Sequence, residues 1–104
     1  MQPHLTCILA LILLVLIIWY KEEEEELVLY SMDNCPHCQT FYPTWLSVKS
    51  KNIVKCREVR NRMCLKEGIQ HTPTVRYYRG DKYKELIGNV SEEILIEFVE
   101  KSRR

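Results

Sequence analysis

Residues Leu5 to Tyr20 are almost wholly apolar and carry no charge. A helix made of them would have no polar face, so it cannot lie on the surface of a small soluble domain. The run is 16 residues long, against about 20 for a typical bilayer span. A thinner bilayer, such as that of the endoplasmic reticulum, accommodates a shorter span. The exit, Trp19-Tyr20-Lys21, has the aromatic-then-charged order of an interfacial anchor. A cleaved signal peptide is the competing reading. No Lys or Arg precedes the run, and the exit lacks a small-x-small site. Residues 1–20 are therefore expected to form an uncleaved transmembrane helix, the signal-anchor of a single-pass membrane protein of the endoplasmic reticulum or a derived membrane. The side of the carboxyl-terminal part stays open. Lys21 weakly favours the cytoplasm, whereas a signal-anchor places it in the lumen. Cys7, inside the run, reads as a small apolar filler.

Lys21 to Glu26 contains one Lys and five Glu, and reads as a solvated acidic linker over residues 21–26. Residues 27–104 remain as the folded domain. They carry 14 Lys and Arg against 9 Asp and Glu, a net charge of +5. The basic residues are scattered, with no stripe and no aromatic interleaving, which argues against a nucleic-acid partner. A domain of this size holds one small core near the limit of independent stability.

Within the domain, Leu27 to Ser31 reads as a short apolar strand. Asp33-Asn34-Cys35-Pro36-His37-Cys38 follows it directly. Pro36 to Lys49 suits a helix, because proline is tolerated in a first turn and Phe41, Trp45 and Val48 recur at helical spacing. Pro43 lies inside it and predicts a kink. Ile53 to Val59 reads as a second strand, although its apolar residues do not share one face. Asn61 to Glu67 suits a short helix with Asn61 as its cap and Gly68 as its stop. Thr74 to Tyr78 and Tyr83 to Ile87 form a hairpin around Arg79-Gly80-Asp81-Lys82. Ser91 caps a last helix with Glu92 and Glu93 in its first turn.

The order βαβα-ββα, with two cysteines at the first strand-to-helix turn, resembles the thioredoxin superfamily. Pro43 falls five residues after Cys38, as in thioredoxins and protein disulfide isomerases. Thr72-Pro73-Thr74 resembles the family's cis-proline loop. The resemblance implies an α/β minimal thioredoxin fold: a four-stranded mixed sheet with helices on both faces, here preceded by the transmembrane helix. It also implies Cys35 and Cys38 as the catalytic pair and Thr72 and Pro73 as substrate-binding residues. The short first strand resembles glutaredoxins, but their glycine pair and following Asp are missing after Tyr83. Cys-Pro-His-Cys is similar to the motif of oxidising periplasmic disulfide enzymes, whose helical insertion has no counterpart here. The buried acid of thioredoxins would fall at Leu29 and is absent.

The chemistry of the pair follows from its position. A thiolate is the nucleophile in disulfide exchange. Cys35 would lie at a helix amino terminus, where free N–H groups and the helix dipole stabilise an anion. Pro36 and His37 are candidates for tuning its pKa. Cys38 is one turn on, placed to resolve a mixed disulfide. Stabilising the Cys35 thiolate makes the disulfide a stronger oxidant. A free backbone edge at Thr72-Pro73 would pair with an extended protein chain, so broad protein thiol and disulfide substrates are expected. No cofactor is implied beyond the Cys35–Cys38 disulfide, and an unidentified redox partner would recharge it. Two other readings concern the remaining thiols. Cys35 and Cys38 could be half of a zinc site completed by Cys56, Cys64 or His71, although the Cys56 to Cys64 spacing is poor for a metal knuckle. Cys56 and Cys64 could also form a second pair. The alternative to an enzyme is a thioredoxin-like binding or scaffold module, its disulfide or zinc site kept for structure.

Overall fold

The computed structural model describes residues 3–19 and 24–104. Tyr20, Lys21 and the first two glutamates lie outside the described residues. Helix α1 spans Pro3–Trp19. Its 17 residues rise roughly 26 Å, short of a hydrocarbon core of about 30 Å. Among the described residues no helix is long and apolar enough to cross a membrane. The structure thus shows an apolar helix where a transmembrane helix is expected from the sequence. Its leucines and isoleucines are exposed.

The domain runs β1 (Glu25–Ser31), α2 (Pro36–Ser50), β2 (Cys56–Arg60), α3 (Arg62–Lys66), β3 (Thr74–Arg79), β4 (Lys82–Ile87) and α4 (Glu92–Ser102). The sheet order is β2-β1-β3-β4. β1 is parallel to β2 and antiparallel to β3, which is antiparallel to β4. This is the four-stranded mixed sheet that the element order implies. Side chains alternate across a strand, so β1 sends Leu27 and Leu29 to one face and Val28 and Tyr30 to the other. On the first face they pack with Phe41, Trp45 and Val48 of α2 and Leu95 and Val99 of α4. On the second they meet Val59, Cys64 and Ile69 around α3. Each fully buried large side chain contributes about 1.5–3 kcal/mol.

Several boundaries differ from the sequence reading. β2 starts at Cys56, so Ile53 and Val54 are left outside it and pack against the core from the preceding loop. α3 does not use Asn61 as a side-chain cap. Gly80 takes a positive φ of 60°, as the first residue of a two-residue hairpin loop. Arg76 is buried beside the aromatic residues of the α3 face. Its guanidinium lies 4.2 Å from the Tyr83 ring centroid and 5.3 Å from that of Tyr30, and donates to Glu85.

The largest correction concerns the acidic linker. Glu25 and Glu26 belong to β1, opposite Arg79 and Tyr78. Glu26 accepts from Arg57 at 2.9 Å. Glu25 accepts from Arg79 and from Arg103, tying the start of β1 to the end of α4. Arg103 also donates to the carbonyl of Ile53. The nearby Tyr77 hydroxyl most of all, with Arg103 and Arg79 adding to it, lowers the Glu25 carboxyl below the ordinary range, and burial opposes them. A depressed folded-state pKa gives stability that is full above the unfolded value near 4.5 and is lost as pH falls through the folded value. Glu25→Gln is therefore expected to cost up to about 1 kcal/mol at neutral pH and little in strong acid. Urea unfolding across pH checks this; equal losses at both pH values would contradict it.

Candidate redox site

The carboxyl end of β1 delivers the chain to the amino end of α2. Cys35 has extended backbone angles, φ −110° and ψ 106°, and acts as the N-cap of α2. Its sulfur accepts the Cys38 N–H at 3.2 Å. Pro36 fills the first helical position, where its missing N–H costs nothing. Cys38 lies one turn on, and the two cysteines are joined as a disulfide with Cα atoms 5.1 Å apart. Cys35 is half-buried, whereas Cys38 is buried at 6 % exposure. The Cys35 side of the disulfide is thus the more open to solvent, and the Cys38 side is enclosed. Pro36 and His37 are exposed on the first turn.

The loop before β3 closes the other side of the pair. The Thr72-Pro73 bond is cis. The Thr72 hydroxyl donates to the Cys35 sulfur at 3.4 Å, and the Thr72 carbonyl oxygen lies 3.5 Å from the same sulfur. The loop is held behind: Thr74 Oγ1 donates to the His71 carbonyl at 2.6 Å, and Gly88 N–H donates to the Pro73 carbonyl at 2.9 Å. Gly88 takes a φ of 102°, which a residue with a side chain rarely adopts. Cys35 and Cys38 are therefore brought together with Thr72 and Pro73, Thr72 lying 37 residues beyond Cys35. Cys35 has two donors trained on its sulfur, a peptide N–H and a hydroxyl, both suited to a thiolate.

The other thiols stand apart from it. Cys56 on β2 packs against the α2–α4 face, and Cys64 on α3 is buried on the opposite face. Both are free, so the second pair considered from the sequence does not form. Burial pushes both thiols up from their ordinary range, which disfavours thiolate at either. Among the described residues no three His, Cys, Asp or Glu side chains gather as a metal site would need. His71 is exposed in the loop before Pro73.

Four features escape sequence reasoning because they bring together residues distant in the chain. A hollow of about 270 Å³ lies beside Cys38, between Met32, Asp33, Gln39, Tyr42 and Arg60. Leu29, where a buried acid is absent, is opposite Glu58 on β2. The Glu58 carboxylate is taken by the Trp45 indole N–H at 2.9 Å and by Arg60 at 3.1 Å. Asn61 turns its side chain to Asp33, two residues before Cys35. A larger hollow, about 590 Å³, lies between the β3–β4 hairpin and the end of α4, at the sheet end opposite the cysteines.

Comparison with known proteins agrees with this geometry. A family model described as Thioredoxin matches residues 18–101. Among solved structures, the J-Trx1 fragment of ERdj5 is 23% identical with a TM-score of 0.69, over 77% of this chain and 43% of that one. This chain thus spans less than half of that fragment. Thioredoxin f2 of Chlamydomonas reinhardtii is 19% identical with a TM-score of 0.68, over 80% of this chain and 82% of that one. The thioredoxin of Fasciola hepatica is 18% identical with a TM-score of 0.67, over 85% and 89%. At these identities the likeness concerns the fold. No curated protein sequence matches the chain.

The Thr72 hydroxyl provides a direct test of the site. Thr72→Val keeps the side-chain shape and removes the donor. A hydrogen bond to a charged group contributes about 1.5–3 kcal/mol, so alkylation of reduced Cys35 by iodoacetamide at neutral pH is expected to slow several-fold. An unchanged rate would show that the hydroxyl does not stabilise the thiolate.

Proposed function

Because this chain belongs to the thioredoxin family, we propose that it is a thiol–disulfide oxidoreductase that exchanges disulfides with protein thiols through Cys35 and Cys38. The observation that carries the reading is the asymmetry of the pair: an accessible sulfur held by two donors, followed one turn later by a buried one. In the reducing direction, the Cys35 thiolate attacks a substrate disulfide. A Cys35–substrate bond forms and the second substrate sulfur leaves as a thiolate. Cys38, as its thiolate, then attacks the Cys35 sulfur. The internal disulfide closes, and the substrate leaves with two electrons gained. Reversed, the same steps donate the disulfide and return the pair to the dithiol. The electrons reside in the two cysteines, so the exchange itself calls for no cofactor, and a second redox protein resets the pair.

The donors on Cys35 favour its thiolate, which favours the reduced pair and makes the disulfide oxidising. His37, exposed on the first turn of α2, would add to the same bias as a cation. We therefore favour disulfide donation over reduction. The backbone of Thr72, half-buried beside the pair, would pair with an extended substrate segment. Residues 5–20 would hold the domain at a membrane, as a signal-anchor of the endoplasmic reticulum or a derived compartment. Support for this is an uncharged helix with exposed leucines and isoleucines on all sides.

Cys38→Ser in the full chain tests both parts. Lacking the resolving thiol, it is expected to accumulate mixed disulfides through Cys35, recovered with the membrane pellet and lost on reduction. No trapped partners would favour a non-catalytic binding module instead. Trapped partners found only in the soluble fraction would leave the exchange standing and remove the membrane tether.

A further inference from the structure

Asn61 stands at the junction of β2 and α3 with φ 57° and ψ −124°. Glycine adopts such a conformation readily and asparagine does not. The side chain gives α3 no cap. It reaches instead to the turn that carries the cysteines. Asn61 Oδ1 accepts the Asp33 N–H at 3.0 Å, and Asn61 Nδ2 donates to the Asp33 carboxylate at 2.8 Å. The Asn61 N–H donates to the Ser31 carbonyl at 3.0 Å. Three bonds thus run from one residue to the segment between the end of β1 and Cys35.

The charge at stake is the Asp33 carboxylate, exposed and two residues before Cys35. Among the described residues it has no salt-bridge partner; Arg60, which shares the hollow with it, is engaged by Glu58. The sulfur of Cys35 is faced by the Cys38 N–H from α2 and by the Thr72 hydroxyl and carbonyl from the loop before β3. The titratable side chains nearest along these segments are Asp33 on the turn, His37 on α2 and His71 in the loop. Of these only Asp33 is an acid, and a negative charge beside a thiol disfavours its thiolate.

We propose that Asn61 is a positioning residue for the dithiol: it ties the Asp33 carboxylate to the β2–α3 junction and so keeps that charge off the Cys35 sulfur. The inference rests on the reading of Cys35 as the attacking thiol. It explains why an asparagine occupies a backbone conformation that glycine would take more easily.

The test uses that conformation. Asn61→Gly suits the backbone, keeps the main-chain bond to Ser31 and removes both side-chain bonds, so the fold is retained. In the reduced full chain in detergent, the pH dependence of iodoacetamide alkylation is followed at the Cys35 peptide by mass spectrometry. The midpoint is expected to rise by about half a pH unit or more, the effect of a freed carboxylate near the sulfur. Adding Asp33→Asn to Asn61→Gly is expected to bring the midpoint back. Asn61→Asp, which sets a second carboxylate against Asp33, is expected to raise it at least as far. An unmoved midpoint in Asn61→Gly, or a shift that Asp33→Asn leaves in place, overturns the role given to Asn61. Exchange of the unaltered chain with a model disulfide is measured alongside. Loss of that exchange would count against the oxidoreductase reading, whereas normal exchange with an unmoved midpoint counts against Asn61 alone.

Discussion

Strand β1 is buried on both faces and hydrogen-bonded along both edges, between β2 and β3. Leu27 and Leu29 sit under α2 and α4, while Val28 and Tyr30 sit under α3. A one-residue slip would exchange the two sets, so the register of β1 is fixed from both sides at once. The position of the dithiol depends on that register. Cys35 follows Ser31 by only four residues, and Ser31 is itself held by Asn61. The active end of the molecule therefore inherits its rigidity from the most buried strand.

Position alone does not make a thiol reactive. Here the sulfur of Cys35 collects a peptide N–H from the first turn of α2 and a hydroxyl from the loop before β3. The two donors come from segments joined only through the sheet, so folding assembles them. The buried acid that thioredoxins carry on the strand before the dithiol is replaced by Leu29, and the acid opposite it, Glu58, is bound by Trp45 and Arg60. The outer sulfur is thus faced by neutral groups, the Cys38 N–H and the hydroxyl and carbonyl of Thr72, while the Asp33 and Glu58 carboxylates are bound to other side chains.

Local features of the sequence were legible where a single residue decides the geometry. Pro36 and Cys35 mark the start of α2. Ser91 caps α4 as expected, accepting the Ile94 N–H. Thr72-Pro73 was recognisable as a loop meant to face the cysteines. Features made by distant partners were not. Glu25 and Glu26 look like the tail of a repelling acidic run, yet Arg79, Arg103 and Arg57 neutralise them within the sheet. Asn61 has the composition of a helix cap, but Asp33, 28 residues away, takes its side chain. Arg76 looks like an exposed strand residue until Tyr30, Tyr78 and Tyr83 are brought around it. Cys56 and Cys64 are close in sequence, and the sheet between them keeps them apart.

The central claim is that Cys35 and Cys38 form a reversible couple whose reduced state is stabilised by the donors on Cys35. The most direct measurement is the reduction potential of the pair in the full chain, equilibrated against glutathione. The account predicts a reversible two-electron transition at about −180 to −120 mV, the range of disulfide-donating enzymes. A potential at or below about −270 mV, or no reversible disulfide at all, would contradict it.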